Sequence, residues 1–452
     1  MDYSSFNNES VGRLLLRFSI PAIVGMLVNA LYNIVDRFFI GKMADVGALA
    51  LSGVGVTFPI TIIIMSFGML VGVGAASRIS IALGENNSKL ASKILGNAFI
   101  LNIIFSAILT VAGLIFYKPI LVSFGATADI IGYAEEYIVI IIAGIVFSNT
   151  AFSMNHCIRS QGFPKISMMT LLLGAVINII LDPIFIFGFG MGVKGAAIAT
   201  VIAQIVSSAW TVYFLTSKKA TLPLKFKDMK IDFKVVLHIF SIGMSPFAMQ
   251  LASALIQTLF NKSLNIYAGP LGIGVFSSIN SIIMLFFMPI FGINQGSQPI
   301  IGFFYGSKNY AKVKQTYILS CISATIFCIV GFIACQFAPA ALLSIFNTDK
   351  EFLELGTYGM RIFTAMLPIL GFQIISSNFF QAIGKASSSM LLSLSRQVII
   401  LIPLILVLPG YFGLTGIWIS TPIADLLATV LTAIFIIKLF SQFRKMEDLK
   451  LQ

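Results

Sequence analysis

The chain has 452 residues, of which 58% are hydrophobic and 10% are charged, whereas soluble domains carry about 25% charged residues. This composition excludes an ordinary soluble fold and predicts an integral membrane protein. The formal net charge of +12 would suit an anionic partner, but the positions of the basic residues, described below, explain it without nucleic acid.

Twelve apolar runs reach or approach the ~20 residues with which a helix spans the hydrocarbon core. In chain order they cover roughly 15–40, 51–76, 94–116, 133–155, 166–187, 194–216, 236–261, 272–298, 315–337, 357–380, 388–409 and 414–438. The first run is too long for a signal peptide and is interpreted as the first spanning helix. The predicted fold is an all-α, multi-pass membrane protein with twelve transmembrane helices.

The basic residues are distributed unequally between the two sides of these spans. With twelve spans, the termini and the even-numbered loops share one side, which receives 22 of the 29 Lys and Arg residues. Six of these are the lysines of the central loop, Lys218, Lys219, Lys225, Lys227, Lys230 and Lys234. Positive loops stay in the cytoplasm, so we expect both termini on the cytoplasmic side of the cell membrane.

The two halves of the chain repeat at an offset of 222 residues. The matched segments are 18–20 with 240–242, Gly74 with Gly296, and, after a one-residue deletion, 192–200 with 413–421. Six spans per half is an even number, so both halves insert in the same orientation. We therefore predict an N-lobe (1–216), a basic cytoplasmic linker (217–234) and a C-lobe (235–452). The lobes would be six-helix bundles related by a pseudo-twofold axis along the membrane normal.

Three carboxylates, Asp36, Asp182 and Asp425, lie inside predicted spans. A charge at the bilayer centre costs at least ~2.5–3.5 kcal/mol on insertion scales, so such residues are functional candidates. Asn178 precedes Asp182 by one helical turn and shares its helix face. These acids predict transport across the membrane, driven by an ion.

The duplication supplies a counterpart for each of these acids. Asp36 matches Thr258, and Asp182 matches Leu404 or, with the deletion, Pro403. Because neither counterpart is acidic, we expect the ion site to belong to the N-lobe alone. Asp425 maps near Gln204 and is interpreted as an isolated polar contact between helices.

Three segments carry a resemblance to a known family. They are NIVDRFFIG (33–41), IRSQGFPK (158–165) and NIILDPIFIFGFGMGVKGAAIAT (178–200). Together with the duplication and the basic linker, they resemble multidrug and toxic compound extrusion (MATE) transporters over essentially all twelve spans. The absence of acidic residues from the seventh and tenth spans resembles the prokaryotic DinF-like branch, whose cation site lies in the N-lobe.

The resemblance implies a cation-coupling site formed by Asp36, Asn178, Asp182 and Thr200, with the backbone carbonyl of Ala196. Carboxylate, amide, hydroxyl and carbonyl oxygens can replace the water shell of a hard cation such as Na⁺. Two desolvated carboxylates can equally exchange H⁺. The coupling ion, H⁺ or Na⁺, stays open, and no cofactor is expected.

A substrate cavity is predicted less directly. The resemblance places Asn29, Tyr32 and Asn155 among the polar residues that line it. Methionines suit an adaptable pocket for flat hydrophobic molecules, which adds Met244, Met284 and Met288; lipid-facing or packing roles are the alternative for them.

The leading hypothesis is a secondary active antiporter, not an enzyme, that exports amphipathic or cationic organic compounds in exchange for H⁺ or Na⁺. Its expected partners are small-molecule substrates and the lipid bilayer, without nucleic acid, and we expect a monomer. The alternative is a lipid-linked saccharide flippase of the same superfamily. That function would need several basic residues at mid-span to hold a pyrophosphate, whereas Arg37, Arg361 and Arg396 lie nearer the ends of their spans.

Overall fold

A computed structural model describes Phe6 and residues 9–43 and 46–451, with the backbone alone for 447–451. Helices dominate because a chain in lipid must satisfy its backbone hydrogen bonds within each segment. The first half contains α1 (Val11–Gly41), α2 (Gly47–Val56), α3 (Phe58–Gly84), α4 (Ser88–Ser123), α5 (Ile131–Ala143), α6 (Ile145–Ser160), α7 (Pro164–Pro183), a π-helical segment (Ile184–Gly188) and α8 (Gly192–Thr216). A 3₁₀ turn (Phe226–Met229) lies in the linker.

The second half contains α9 (Phe233–Gly306), α10 (Tyr310–Phe337), α11 (Pro339–Leu343), α12 (Lys350–Phe363), α13 (Leu367–Ala382), α14 (Ala386–Leu394), a second π-helical segment (Ser395–Leu401) and α15 (Ile402–Leu451). Two of these helices are interrupted by a glycine with positive φ: α9 at Gly269 (φ 60°) and α15 at Gly413 (φ 55°). Glycine adopts this conformation at no steric cost, and each helix therefore consists of two rods.

The predicted number of spans is confirmed. Eight helices are long and apolar enough to cross a membrane, and two bent pairs raise the number to ten. Since α9 and α15 each hold two rods, the total is twelve. The bent pairs are α5 with α6, at 57°, and α12 with α13, at 51°.

The chain divides into two compact units. The first contains Val24–Phe247, and the second contains Glu9–Ile23 and Ala248–Gln452. The core of the first unit packs aliphatic side chains of α5, such as Ile138 and Ile142, against the start of α8 at Ala196. The core of the second unit is aromatic, with Phe260 and Phe276 stacked at 4.7 Å between ring centres and Trp418 beside them.

The linker is bound to the first unit through the start of α4. The Asn97 side chain, which is fully buried, donates to the carbonyl of Lys230 (3.1 Å) and accepts from the amide of Asp232 (2.8 Å). Lys93 forms an ion pair with Asp232. Its ammonium holds the pKa of the Asp232 carboxyl below its usual range. The linker is thus a structured part of the first unit.

Candidate cation-coupling site

Four of the five predicted coupling residues have polar side chains, and all four are buried in the first unit. Asp36 comes from α1, Asn178 and Asp182 from α7, and Thr200 from α8. Their exposed fractions are 8%, 1%, 0% and 6%, in that order. Apolar burial of two acids is costly, so their contacts decide what the site can do.

Asn178 is the centre of the hydrogen-bond network. Its amide nitrogen donates to a carboxylate oxygen of Asp182 (3.1 Å) and to the hydroxyl of Thr200 (3.3 Å). The first contact follows from the i, i+4 spacing on α7, and the second joins α7 to α8. The carboxyl groups of Asp36 and Asp182 face each other within hydrogen-bonding reach, which brings α1 to the same point.

Three oxygen atoms of this cluster are buried without a hydrogen-bond partner. They are Oδ1 of Asp36, Oδ1 of Asn178 and Oδ2 of Asp182. Each is an acceptor, and a buried acceptor left unpaired costs ~1–3 kcal/mol. Two facing carboxylates and an amide oxygen form an electron-rich pocket that would be stabilised by a cation or a proton.

The backbone around the site is irregular. Directly after Asp182, Pro183 ends α7 and the chain enters the π-helical segment, a feature often found at functional sites. Gly195 lets α8 approach that segment, since a Cβ there would lie 2.8 Å from the Phe185 carbonyl. Ala196, the fifth predicted residue, follows Gly195, is fully buried and lies one turn before Thr200.

Two tyrosines complete the surroundings. Tyr32, predicted as a cavity residue, lies one turn before Asp36 and interacts electrostatically with both aspartates. Tyr137 of α5 was not predicted; its hydroxyl lies within hydrogen-bonding reach of Thr200, and it also senses both carboxylates. Tyr137 carries no distinguishing signal in the sequence, because tyrosine in a span has many ordinary roles.

The structure does not gather the other predicted cavity residues at one place. Asn29 is exposed and accepts a hydrogen bond from Asn33 (3.0 Å). Asn155 lies in a separate buried network, where it contacts Ser167 and Arg159 (2.9 Å). Of the methionines, Met244 (38% exposed) belongs to the first unit, whereas Met284 (50% exposed) and the half-buried Met288 belong to the second.

Asp425, the third intramembrane acid, has a charged partner. The Nε atom of Arg396 donates to Asp425 Oδ1 at 2.6 Å, and the Asp425 side chain is 2% exposed. The interpretation of Asp425 as an isolated polar contact is therefore wrong in one respect: it forms a buried ion pair. The two residues are 29 positions apart on different elements, so no helical spacing could have predicted the contact.

Known proteins resemble this chain along its whole length. A family model described as MatE matches residues 21–184 and again residues 246–407, in agreement with the duplication. The multidrug export protein MepA of Staphylococcus haemolyticus is 27% identical over 432 residues, which cover 96% of this chain and 94% of that protein.

Solved structures agree. The MATE multidrug transporter DinF-BH, solved in complex with a small molecule, is 38% identical with a TM-score of 0.88, covering 94% of this chain and 95% of that one. An outward-facing MATE transporter of the MOP superfamily is 25% identical with a TM-score of 0.91, over 98% and 99% of the two chains. Since the family model covers more than half of the chain, the chain belongs to the multidrug and toxic compound extrusion (MATE) family of membrane transporters.

Proposed function

We propose that this transporter exports amphipathic, often cationic, organic compounds in exchange for H⁺ or Na⁺ at the Asp36–Asp182 pocket. The observation that carries the antiport proposal is the set of three unpartnered buried oxygens, on Asp36, Asn178 and Asp182. The choice of substrate class is supported by the relatives, one of which is a multidrug export protein and another a multidrug transporter with a bound small molecule.

The exchange follows from electrostatics. When the pocket is empty and both carboxylates are ionised, like charges face each other in a medium of low dielectric constant, which is strongly unfavourable. Binding of Na⁺ or H⁺ removes this repulsion and draws Asp36, on α1, toward Asp182, on α7. Release of the ion reverses the effect. The position of α1 relative to α7 and α8 thus depends on the ion.

Antiport requires that the ion-bound and the substrate-bound arrangements differ. A ligand shifts a conformational equilibrium only by its difference in affinity for the two states. The ion favours the arrangement in which α1 approaches α7, and the substrate would favour the other. Tyr32, on α1 next to Asp36, is placed to sense both. A membrane potential of 100 mV supplies ~2.3 kcal/mol per charge, which is enough to drive uphill export of a weakly bound compound.

The orientation proposal rests on charge. We infer that the transporter lies in the cytoplasmic membrane with its basic linker, 217–234, and both termini on the cytoplasmic side, because positive loops are retained there. The termini themselves fall outside the described residues, so the linker is the part on which this proposal can be examined. We further infer that a single copy suffices, since the coupling residues all come from one unit of one chain.

The flippase alternative is less well supported. A pyrophosphate would need uncompensated basic side chains within the spans. The guanidinium of Arg396 is neutralised by Asp425, and Arg159 is buried and donates to Asn155 and Ser167. Neither charge is available in the form that a pyrophosphate requires.

The test is efflux of a fluorescent cationic dye from proteoliposomes, with a proton gradient and a sodium gradient imposed separately. We expect one of the gradients to accelerate export, and dissipation of that gradient to abolish the acceleration. Export that ignores both gradients would overturn the antiport proposal. Transport of a fluorescent lipid-linked saccharide analogue, without dye export, would favour the flippase.

A further inference from the structure

The second unit contains a buried charge pair at a place related to the coupling site. Arg396 lies in the π-helical segment Ser395–Leu401, and its guanidinium contacts Asp425 of α15 at 2.6 Å. Asp425 is 1% exposed. A buried ion pair generally gives no more stability than apolar residues of the same volume. Packing alone therefore does not explain why the pair is present.

The duplication identifies the place. Thr421 is the counterpart of Thr200, and Asp425 follows Thr421 by one helical turn on the same face. Arg396 falls, at an offset of 222, on Gly174, one turn before Asn178. The ion pair therefore joins the elements that match α7 and α8, as the contact between Asn178 and Thr200 does in the first unit.

A third helix is also joined in both units. In the second unit, Gln397 donates to Ser253 of α9 at 3.2 Å. The first rod of α9 is the counterpart of α1, which brings Asp36 to the coupling site. Oxygen acceptors without a partner are present here as well, on Gln397 (Oε1) and Thr421 (Oγ1). The second unit thus carries a carboxylate and neutral oxygens on the same three helices.

The charges differ between the units. The first unit has two facing carboxylates, and no ion pair among its described residues joins either of them to a basic side chain. Arg37, next to Asp36, is exposed, and its guanidinium lies 5.8 Å from the centre of the Phe58 ring. In the second unit, a single carboxylate is already matched by a guanidinium on a neighbouring element.

We infer that Arg396 is a tethered cation that permanently satisfies Asp425, so that the second unit takes up no exchangeable ion. Arg396 would then confine ion coupling to the first unit. Without the guanidinium, Asp425 and the acceptors on Gln397 and Thr421 would form a second ion site. The thiol of Cys328, on α10, is also buried and interacts electrostatically with Asp425, so it belongs to the surroundings of that latent site. This inference deepens the proposed coupling mechanism, yet it concerns a different carboxylate.

The experiment counts ions on purified full-length protein. Saturation binding of ²²Na⁺ and proton uptake at a pH jump are measured per molecule, in a background in which Asp36→Asn and Asp182→Asn remove the first site. We expect no Asp425-dependent ion when Arg396 is present. Arg396→Met should add one ion per molecule, and Arg396→Met with Asp425→Asn should remove it again. Arg396→Lys, which keeps a tethered charge, is the matched control and should add none.

Two results would overturn the inference. One is an Arg396→Met protein that binds no more ion than Arg396→Lys. The other is a loss of bound ion on Asp425→Asn in the protein that keeps Arg396, a comparison that remains decisive if Arg396→Met fails to fold. Because the background already lacks Asp36 and Asp182, neither result depends on whether the proposed antiport is correct.

Discussion

Asp36 and Asp182 differ in how firmly they are held. Asp182 receives a hydrogen bond from Asn178 on its own helix, whereas one oxygen of Asp36 is buried without any partner. Asp36 is also alone among the coupling residues in coming from α1. Asp182 therefore acts as the fixed half of the site and Asp36 as the half that responds when the ion arrives or leaves.

Thr200 offers a conservative test of whether neutral oxygens contribute to ion binding. Thr200→Val keeps the shape but removes the hydroxyl that contacts Asn178 and Tyr137. We expect the half-saturating concentration of the coupling cation to rise about tenfold, which corresponds to the ~1.4 kcal/mol typical of one lost hydrogen bond. The measurement is dye efflux as a function of ion concentration.

Thr200→Ser retains the hydroxyl and is the matched control, with a half-saturating concentration near that of the wild type. An unchanged value for Thr200→Val would assign Thr200 to helix packing alone.

The coupling residues were predictable to different degrees. Asp36 and Asp182 were found because a charge in lipid needs a reason, and Asn178 because it lies one turn from Asp182. Tyr137 was not, since nothing in its sequence neighbourhood separates a ligand from a packing tyrosine. Arg396 was judged to lie near a span end, because hydropathy reports depth in the membrane and not the partner that a long side chain reaches.

At the scale of elements, α3 packs closely against α6. A Cβ at Gly72 would lie 2.7 Å from the Cα of Ser153, and the hydroxyl of Ser153 donates to the carbonyl of Gly68 at 2.8 Å. Gly72→Leu should separate the two helices and cost ~1–3 kcal/mol, as overpacking usually does. A lower midpoint of thermal unfolding in detergent would reveal it.

Gly132→Ala is the control for that substitution, because no atom lies within 4 Å of a Cβ built at Gly132. It should leave the midpoint unchanged or raise it slightly, by the higher helix propensity of alanine. Equal effects of the two substitutions would contradict the close packing of α3 and α6.

The linker should detach when its hydrogen bonds to α4 are removed. Asn97→Ala deletes the contacts to Lys230 and Asp232. We expect trypsin to cleave the linker, after Lys225 or Lys227, about tenfold faster, whereas Asn347→Ala, which removes only a local contact to Asp349, should leave the rate unchanged. Equal rates for all three proteins would mean that Asn97 does not hold the linker.

The ion pair between Lys93 and Asp232 gives the same contact a pH dependence. Because the pKa of Asp232 is lowered in the folded protein, its contribution is complete at neutral pH and is lost as the pH falls through that lowered value. Linker cleavage by a protease active in acid should therefore accelerate at low pH in the wild type. Asp232→Asn, which has no charge to lose, should remove most of this acceleration.

Hydropathy predicted where helices lie but not how they are interrupted. The predicted span 133–155 corresponds to α5 and α6, which meet at 57°, and the span 166–187 ends in a π-helical segment. Both deviations depend on neighbouring helices, and an apolar run contains no record of its neighbours. Helix ends also differ: α4 extends from Ser88 to Ser123, beyond the predicted 94–116, because helices continue outside the hydrocarbon core.

At the scale of the whole molecule, orientation is the simplest property to examine. Lys219 in the linker and Thr348 in the segment after α11 are both exposed. In intact cells, an impermeant thiol reagent should label Thr348→Cys and fail to label Lys219→Cys until the membrane is permeabilised. The four native cysteines are buried or half-buried, which keeps the background low. The reverse labelling pattern would invert the proposed topology.

Duplication and asymmetry together explain the design of the molecule. The family model matches both halves, so both began with the same helices. Only the first unit keeps two facing carboxylates, while the second pairs its acid with Arg396. A transporter of this kind needs one half whose energy depends on the ion, and a counterpart whose charges stay constant gives that change a fixed reference.

The central claim is that Asp36 and Asp182 couple ion entry to export. It is tested most directly by comparing, in proteoliposomes, gradient-driven dye export with dye movement down its own gradient, for Asp36→Asn and Asp182→Asn. Each amide keeps the shape of the side chain and removes the exchangeable charge. We predict that gradient-driven export falls to the level of empty liposomes in both variants while the proteins remain folded, and that Asp425→Asn retains most of it. Full gradient-driven export by both N-unit variants would contradict the account.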